Sequence, residues 1–484
     1  MQYHVTRTVE RISDLRANSA AHVIGFVMGT IVGARLSYAQ QQEYAIIPII
    51  NPDCPYGPSY AGWSGINEAG MVVGSVCNYW KGDAFWYYNG VMQVLSTPHR
   101  YDASGITCIN NLGEMVGGFY NWPEDEWHPF FLSNRGRGLL EVLDTGVVQT
   151  QAMNDDGIVV GVNRDLSIDN SWRACCWING QLRFLPRLPT WNSEEDFYSG
   201  ANGINQAGDM VGFCDFEGFY APVRWLAGRI EALWMPTGKT RGNAFTINDS
   251  GQIGGSIDFV GSIFDVSSTP VIWDTTFHVI YRLEFTSTGD PSGAVVGINN
   301  GGQAVGSFTT DDARYPWFAF VSENFQPLTP LVDRLPAFHR WYLSEARDIN
   351  DAGQIIGQGY HSAYDDEHAF LMTPVYPSVT LESPTPGTAG TANTFRVTGL
   401  SPDEKVRFYY SNHSGGAVIP GCDLQVAALQ LDDPRELGSA VADADGVAQI
   451  TRFVPTSAAG KTALIQAAVV DRCIISNYVV ETFE

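Results

Sequence analysis

The stretch Ile66-Asn67-Glu68-Ala69-Gly70-Met71-Val72-Val73-Gly74 decides the fold, because its pattern returns six more times along the chain. Asn67, Asn110, Asn154, Asn205, Asn248, Asn299 and Asn350 each follow an apolar residue. Three positions on stand Gly70, Gly113, Gly157, Gly208, Gly251, Gly302 and Gly353, and seven positions on stand Gly74, Gly117, Gly161, Gly212, Gly255, Gly306 and Gly357. The spacing predicts a tight hairpin. The Asn side chain is expected to bond the backbone two residues on, while the first Gly accepts a left-handed conformation. Apolar pairs such as Val72-Val73, Val159-Val160 and Ile355-Ile356 begin the returning strand, and the second Gly leaves room for a close neighbour. The acidic version Asn154-Asp155-Asp156-Gly157 lacks the alternating oxygen ligands and distal Glu of a calcium loop, so it too reads as a turn.

A second hairpin follows in most units. Ala84-Phe85-Trp86-Tyr87-Tyr88 runs into Asn89-Gly90, and Cys175-Cys176-Trp177 runs towards Asn179-Gly180, the strongest short-range hairpin signal. Each unit therefore holds four strands in roughly 43 to 51 residues, the size of one propeller blade. The seventh unit stops after Ala369-Phe370-Leu371-Met372 without a fourth strand, and a strand without a unit, Tyr44 to Ile49, precedes the first. Pairing these two ends removes an exposed edge. The expectation is an all-β chain: a seven-bladed β-propeller over residues 43–374, closed by the N-terminal strand, then an immunoglobulin-like β-sandwich over 375–484.

The unit resembles the HAF-repeat proteins, whose name-giving tripeptide appears as His368-Ala369-Phe370, over about residues 60–374. Pro129, Pro222 and Pro270 depart from it near the Ala position. The resemblance implies a bacterial extracellular protein of this fold, and carries no catalytic residues. Beyond it, short apolar strands at Thr394–Val397, Val406–Tyr410, Val447–Phe453 and Thr462–Val470 suit a sandwich. The segments Gly421-Cys422 and Cys473-Ile474-Ile475-Ser476-Asn477 resemble small modules of bacterial surface proteins.

Composition narrows the function. The 484 residues include 50 Gly and 25 Pro with only 17% charged residues, which suits a turn-rich β protein. With 52 acidic against 28 basic side chains and a net charge of -24, binding to nucleic acid or anionic membranes is not expected. Arg7, Arg11 and Arg16, an apolar run from Val23 to Ala34, and Ser37-Tyr38-Ala39 read as a secretion signal over residues 1–39, with an uncleaved anchor as its rival. Secretion permits disulfides. Cys422 with Cys473 is the first candidate, and Cys54 with Cys77, flanking the first hairpin, the second. Cys175 fills a slot where sister units carry Phe, so it reads as a core residue.

The short turns share one face of the ring, so the longer loops share the other. Those loops carry Trp80, Asp83, Trp122, Glu124, Asp125, Glu126, Trp127, Trp341 and Tyr342. Exposed rings can cover the apolar faces of sugars while carboxylates accept hydroxyl hydrogen bonds. The structural alternative is that the rings pack between blades. His361, Asp365, Asp366 and His368 form the densest group for a divalent cation such as calcium, against an ordinary polar loop. No other cofactor is expected.

No Gly-x-Ser-x-Gly, His-Glu-x-x-His or P-loop occurs. The expectation is a monomeric, secreted or surface-displayed binding scaffold, whose partner is carbohydrate or another extracellular protein. The rivals are a polysaccharide hydrolase or lyase, and a purely structural envelope or matrix protein.

Overall fold

The computed structural model describes residues 42–50, 64–78, 81–95, 103–121, 126–133, 140–142, 148–165, 171–189, 198–216, 219–236, 241–262, 265–274, 279–282, 292–309, 317–324, 326–364, 366–419, 421–422 and 428–484. The leader over 1–39 and Cys54 lie outside these residues. Among them the regular elements are strands and three short 3-10 turns, and the molecule is all-β with a propeller-like arrangement of sheets.

Among the described residues of 43–375 there are seven four-stranded antiparallel sheets in chain order: sheet 1 from Gly65–Ile66 to Val91–Val94, sheet 2 from Ala103–Ile109 to Leu140–Val142, sheet 3 from Val148–Met153 to Gln181–Phe184, sheet 5 from Arg241–Ile247 to Val279–Arg282, sheet 6 from Gly293–Ile298 to Thr329–Pro330, and sheets 4 and 7 as follows. In sheet 4, for example, Ser199–Ile204, Met210–Phe216, Phe219–Leu226 and Arg229–Ala232 pair in sequence order. Sheet 7 consists of Trp341–Ile349, Ile355–His361 and Asp366–Val375, and takes its outer strand, Glu43–Ile49, from the other end of the chain. Tyr44 there stands opposite Pro374 and Ile47 opposite Leu371.

Each sheet is apolar on both faces, so it must pack on two neighbours. Val73 and Phe130 share a core between sheets 1 and 2, Val159 and Val116 between sheets 3 and 2, and Val160 and Trp225 between sheets 3 and 4. The series continues through Val211 with Trp273, Ile272 with Phe320, and Val321 with Phe370. Ile356 of sheet 7 and Phe85 of sheet 1 then share the last one. Cys175 is buried in the core between sheets 2 and 3.

The repeated Asn does more than make a turn. In all seven repeats its side-chain oxygen accepts the N–H four residues on, not two, as between Asn67 and Met71 at 2.9 Å. Among the described residues, Asn110 alone also reaches the residue two on, Leu112. The reason is that the side-chain amide is shared with the next sheet. Its nitrogen donates to the carbonyl of the following repeat's Asn, at 2.9 to 3.3 Å, from Asn67 through Asn350 and back to Asn67. This is a closed cycle of seven buried hydrogen bonds. A second cycle surrounds it one residue on, where Glu68, Asn111, Asp155, Gln206, Asp249, Asn300 and Asp351 each accept the backbone N–H of the previous repeat's counterpart.

The first Gly has positive φ in every repeat, between 68° and 81°. The second serves a different need. In sheets 2 to 7 the innermost strand carries a β-bulge, for example between Ile106 and Cys108. A Cβ on the facing Gly117, Gly161, Gly212, Gly255, Gly306 or Gly357 would lie 1.9 to 2.1 Å from a carbonyl oxygen of that bulged strand.

The C-terminal residues form a three-stranded sheet, with Ala392–Thr398 between Thr380–Leu381 and Ala448–Phe453, facing a sheet built on Lys405–Ser411 and Thr462–Val469. Phe395, Val397, Phe408 and Ile450 fill the space between them. Cys422 and Cys473 are joined by a disulfide with Cα atoms 5.4 Å apart. An additional hairpin, Ser414–Val418 with Ala428–Leu431, leaves this core and packs on Glu43–Ile49. A single apolar cluster therefore contains Ile47 and Ile49, Phe85 and Tyr87 of sheet 1, and Tyr409, Leu429 and Leu431 of the C-terminal part.

Candidate functional site

Consecutive antiparallel strands put the Asn turns at one end of every sheet and the connections between second and third strands at the other. The expected aromatic and acidic residues belong to that second end, and only some fall on described residues. Trp80, Trp122, Glu124, Asp125 and Asp365 lie outside them, and so do the side chains of Glu126 and Trp127 in the strand Glu126–Leu132. Asp83 is exposed, opposite Val76 in sheet 1.

Trp341 corrects the expectation of exposed rings, while Tyr342 is half-buried. Trp341 is buried, its ring 4.7 Å from that of His361 and 5.9 Å from that of Phe370. The Tyr342 hydroxyl donates to the Trp317 carbonyl and its ring meets Phe318 edge-on, so it ties sheet 7 to sheet 6. Strand alternation sends Trp341 inwards whatever the polarity of the loop before it.

His361 and His368 likewise lie in strands, Ile355–His361 and Asp366–Val375, and not in the loop between them. Both are buried, and the Tyr364 ring lies 4.8 Å from one and 5.2 Å from the other. Burial, then Arg340, His368 and His413, push the His361 imidazole down to about 4, and burial lowers His368. Asp366 pairs with His361 across the strands, but among the described residues no three His, Cys, Asp or Glu side chains gather as a metal site.

The exposed rings on this face are others. At the end of sheet 4 where the second strand gives way to the third, Phe216, Phe219 and Tyr220, with Tyr198 just before the first strand, are 36 to 43% exposed. Tyr198 is held by the Asp215 N–H on its carbonyl at 2.8 Å, Phe216 stands opposite Phe219, and Phe213 supports Tyr220 edge-on at 5.2 Å. The Arg241 guanidinium of sheet 5 lies 5.7 Å over the Phe219 ring. Phe and Tyr in strand segments look like core in a sequence. They reach solvent here because Phe216 and Phe219 end their strands.

A second feature lies on the axis. The innermost strands enclose a cavity of about 550 Å³, within the range of small-molecule sites. Its wall carries one residue from each repeat at the position three before the Asn: Ser64, Thr107, Gln151, Asn202, Phe245, Val296 and Arg347. In sheets 2 to 7 this is the extra residue of the β-bulge, which explains why it is turned out of the pleat and into the cavity.

Charge in the cavity is sparse. Asp348 accepts the N–H of Ile66 at 3.1 Å and of Ile349 at 2.9 Å, yet burial outweighs these bonds and pushes its carboxyl up to about 6. Arg347 is paired with Glu345. Burial pushes the Cys108 thiol up to about 12, so it stays protonated and is a poor nucleophile. Asp348 is the one carboxylate among the described lining residues, so a pair for glycoside hydrolysis is not assembled there.

No protein-family model and no curated protein sequence matches the chain. Among solved structures, the β-propeller domain of the Trilobed protease from Pyrococcus furiosus aligns at 10% identity over 64% of this chain and 91% of that one, with a TM-score of 0.44. Prolyl oligopeptidase B from Galerina marginata aligns at 10% identity over 70% of this chain and 55% of its own, with a TM-score of 0.39. Trypanosoma rangeli sialidase aligns at 8% identity over 91% of each chain, with a TM-score of 0.27.

Proposed function

We propose that this protein is a secreted or surface-displayed binding scaffold of the HAF-repeat type, a seven-bladed β-propeller closed by its N-terminal strand and joined to an immunoglobulin-like module. Its partner is a neutral polysaccharide or the glycan of another extracellular protein, taken up on the long-loop face. The observation that carries this is the group of four exposed rings at the tip of sheet 4. Rings fixed by a strand turn present flat apolar surfaces at little entropic cost, which suits the apolar faces of sugars. A chain with a net charge of -24 would repel polyanions, which favours uncharged glycans.

The test is a glycan array followed by titration calorimetry on the protein. Neutral oligosaccharides are expected to bind, and Phe219→Ala combined with Tyr220→Ala to weaken them about tenfold or more without lowering the melting temperature by more than a few degrees. Unchanged binding in that double variant would remove the long-loop face of sheet 4 as the site.

A further inference from the structure

Within one chain, seven repeats show which positions the fold needs. The Asn, the Gly three on and the Gly seven on never vary; the first two meet the demands described above in every repeat, and the third does so in sheets 2 to 7. The position three before the Asn behaves in the opposite way, with seven different residues in seven repeats. The fold places no demand on its side chain, yet all seven copies line one cavity, six of them turned there by the bulge.

The differences are ordered around the axis. From sheet 7 through sheet 4 run Arg347, Ser64, Thr107, Gln151 and Asn202, an unbroken polar arc. Sheets 5 and 6 oppose it with Phe245 and Val296. Part of the polar arc is already committed: the Thr107 hydroxyl bonds that of Thr150 at 3.1 Å, and the Asn202 amide nitrogen donates to Asn243 and to the Ala244 carbonyl, each at 2.8 Å. The Asn202 oxygen is therefore held in place as an acceptor. The Gln151 amide is exposed into the cavity and has no partner among the described residues.

We infer that the axial cavity is a second binding site, separate from the ring patch of sheet 4, and that it takes one neutral polyhydroxylated ring of monosaccharide size. The Phe245 and Val296 side would cover its apolar face, while Gln151, Asn202 and Thr107 bond its hydroxyls. Neutrality follows from the wall: Arg347 is tied to Glu345, and Asp348 adds a carboxylate, so an anionic ligand would find no free cation among the described lining residues. The inference does not rest on glycan binding at the long-loop face.

Titration calorimetry of the protein with neutral hexoses and pentoses, alongside the matching uronic acids, tests it. At least one neutral monosaccharide is expected to bind more tightly than its uronate, with affinity falling roughly tenfold in Gln151→Ala and in Phe245→Ala. Phe219→Ala should leave that affinity unchanged. Because Gln151 is exposed, its variant keeps the fold, and an unaltered melting curve verifies this. No monosaccharide binding at tens of millimolar, affinity unaffected by Gln151→Ala, or a preference for the uronate would each overturn the proposal. Loss of oligosaccharide binding in Phe219→Ala with monosaccharide binding intact would leave both sites standing.

Discussion

Asp348 occupies the position two before the Asn, where the other repeats carry Gly65, Cys108, Ala152, Gly203, Thr246 and Gly297. The position faces the next sheet closely: a Cβ on Gly203 would lie 3.0 Å from the Phe245 carbonyl, and one on Gly297 3.1 Å from the Asp348 Cα. The carboxylate is accommodated between sheets 7 and 1 because that junction offers Gly65 and the Ile66 N–H. Its pKa of about 6 lies above the ordinary carboxylate range, so the native state holds a proton there that the unfolded chain releases near pH 4. Stability from this group is present at low pH and is lost as pH rises through 6. Asp348→Asn should therefore match the wild type at pH 4 and exceed it by about 1 to 3 kcal/mol at pH 8, read from urea denaturation at both values. His361, buried and lowered to about 4, acts in the opposite sense, losing stability as pH falls below about 6.5. His361→Phe should flatten the acid side of the same stability curve, and an unchanged slope between pH 4 and 6.5 would show that the imidazole titrates freely. A sequence displays neither effect, since an Asp or His carries no mark of the neighbours that desolvate it.

At the level of the strand, spacing made the hairpins readable: apolar residue, Asn and two Gly at fixed offsets mark where the chain turns and returns. Less visible was why the second Gly is needed. It answers a bulge on the facing strand, and bulges leave no signature when the extra residue varies from Thr107 to Arg347. The two kinds of Gly should respond differently to Ala. Gly208 has φ of 81° and open space around it, so Gly208→Ala costs about 1 kcal/mol of backbone strain. In Gly212→Ala the added carbon would meet the Gly200 carbonyl at 1.9 Å, which requires the bulge to move and costs roughly 3 kcal/mol. Equal losses for the two in thermal or urea melts would refute this account of the bulge. The ring patch of sheet 4 was hidden for a related reason. Trp and carboxylates in loops attract attention as ligands, whereas Phe216 and Phe219 look like ordinary strand residues until their position at a strand end is known.

Over the whole molecule, the C-terminal part is joined to the sheets and not simply attached to them. Gly416, one of two adjacent glycines, lies within a strand, where a Cβ would come within 2.5 Å of the Ile47 side chain. Beside it Gln430 donates to Glu43 at 3.1 Å, Ser414 to the Pro336 carbonyl at 3.1 Å, and Tyr478 to the Ala337 carbonyl at 3.3 Å. This hairpin covers Glu43–Ile49, the strand that completes sheet 7 by pairing with Asp366–Val375. Gly416→Leu should accordingly speed hydrogen exchange of the Glu43–Ile49 amides at least tenfold while leaving those of Ala392–Thr398 protected; equal protection in variant and wild type would show that the hairpin does not secure that strand. The sequence by itself determined the all-β character, the seven hairpin units and their turn positions, because turn chemistry and strand alternation are local and repeat with the chain. Only the tertiary structure decided that seven Asn side chains bond in a closed cycle, that seven unlike residues converge on one cavity, and that Trp341 and His368 lie inside. Those outcomes depend on which sheets become neighbours, and contacts between residues about 40 to 280 positions apart are written in packing and not in any one stretch of sequence.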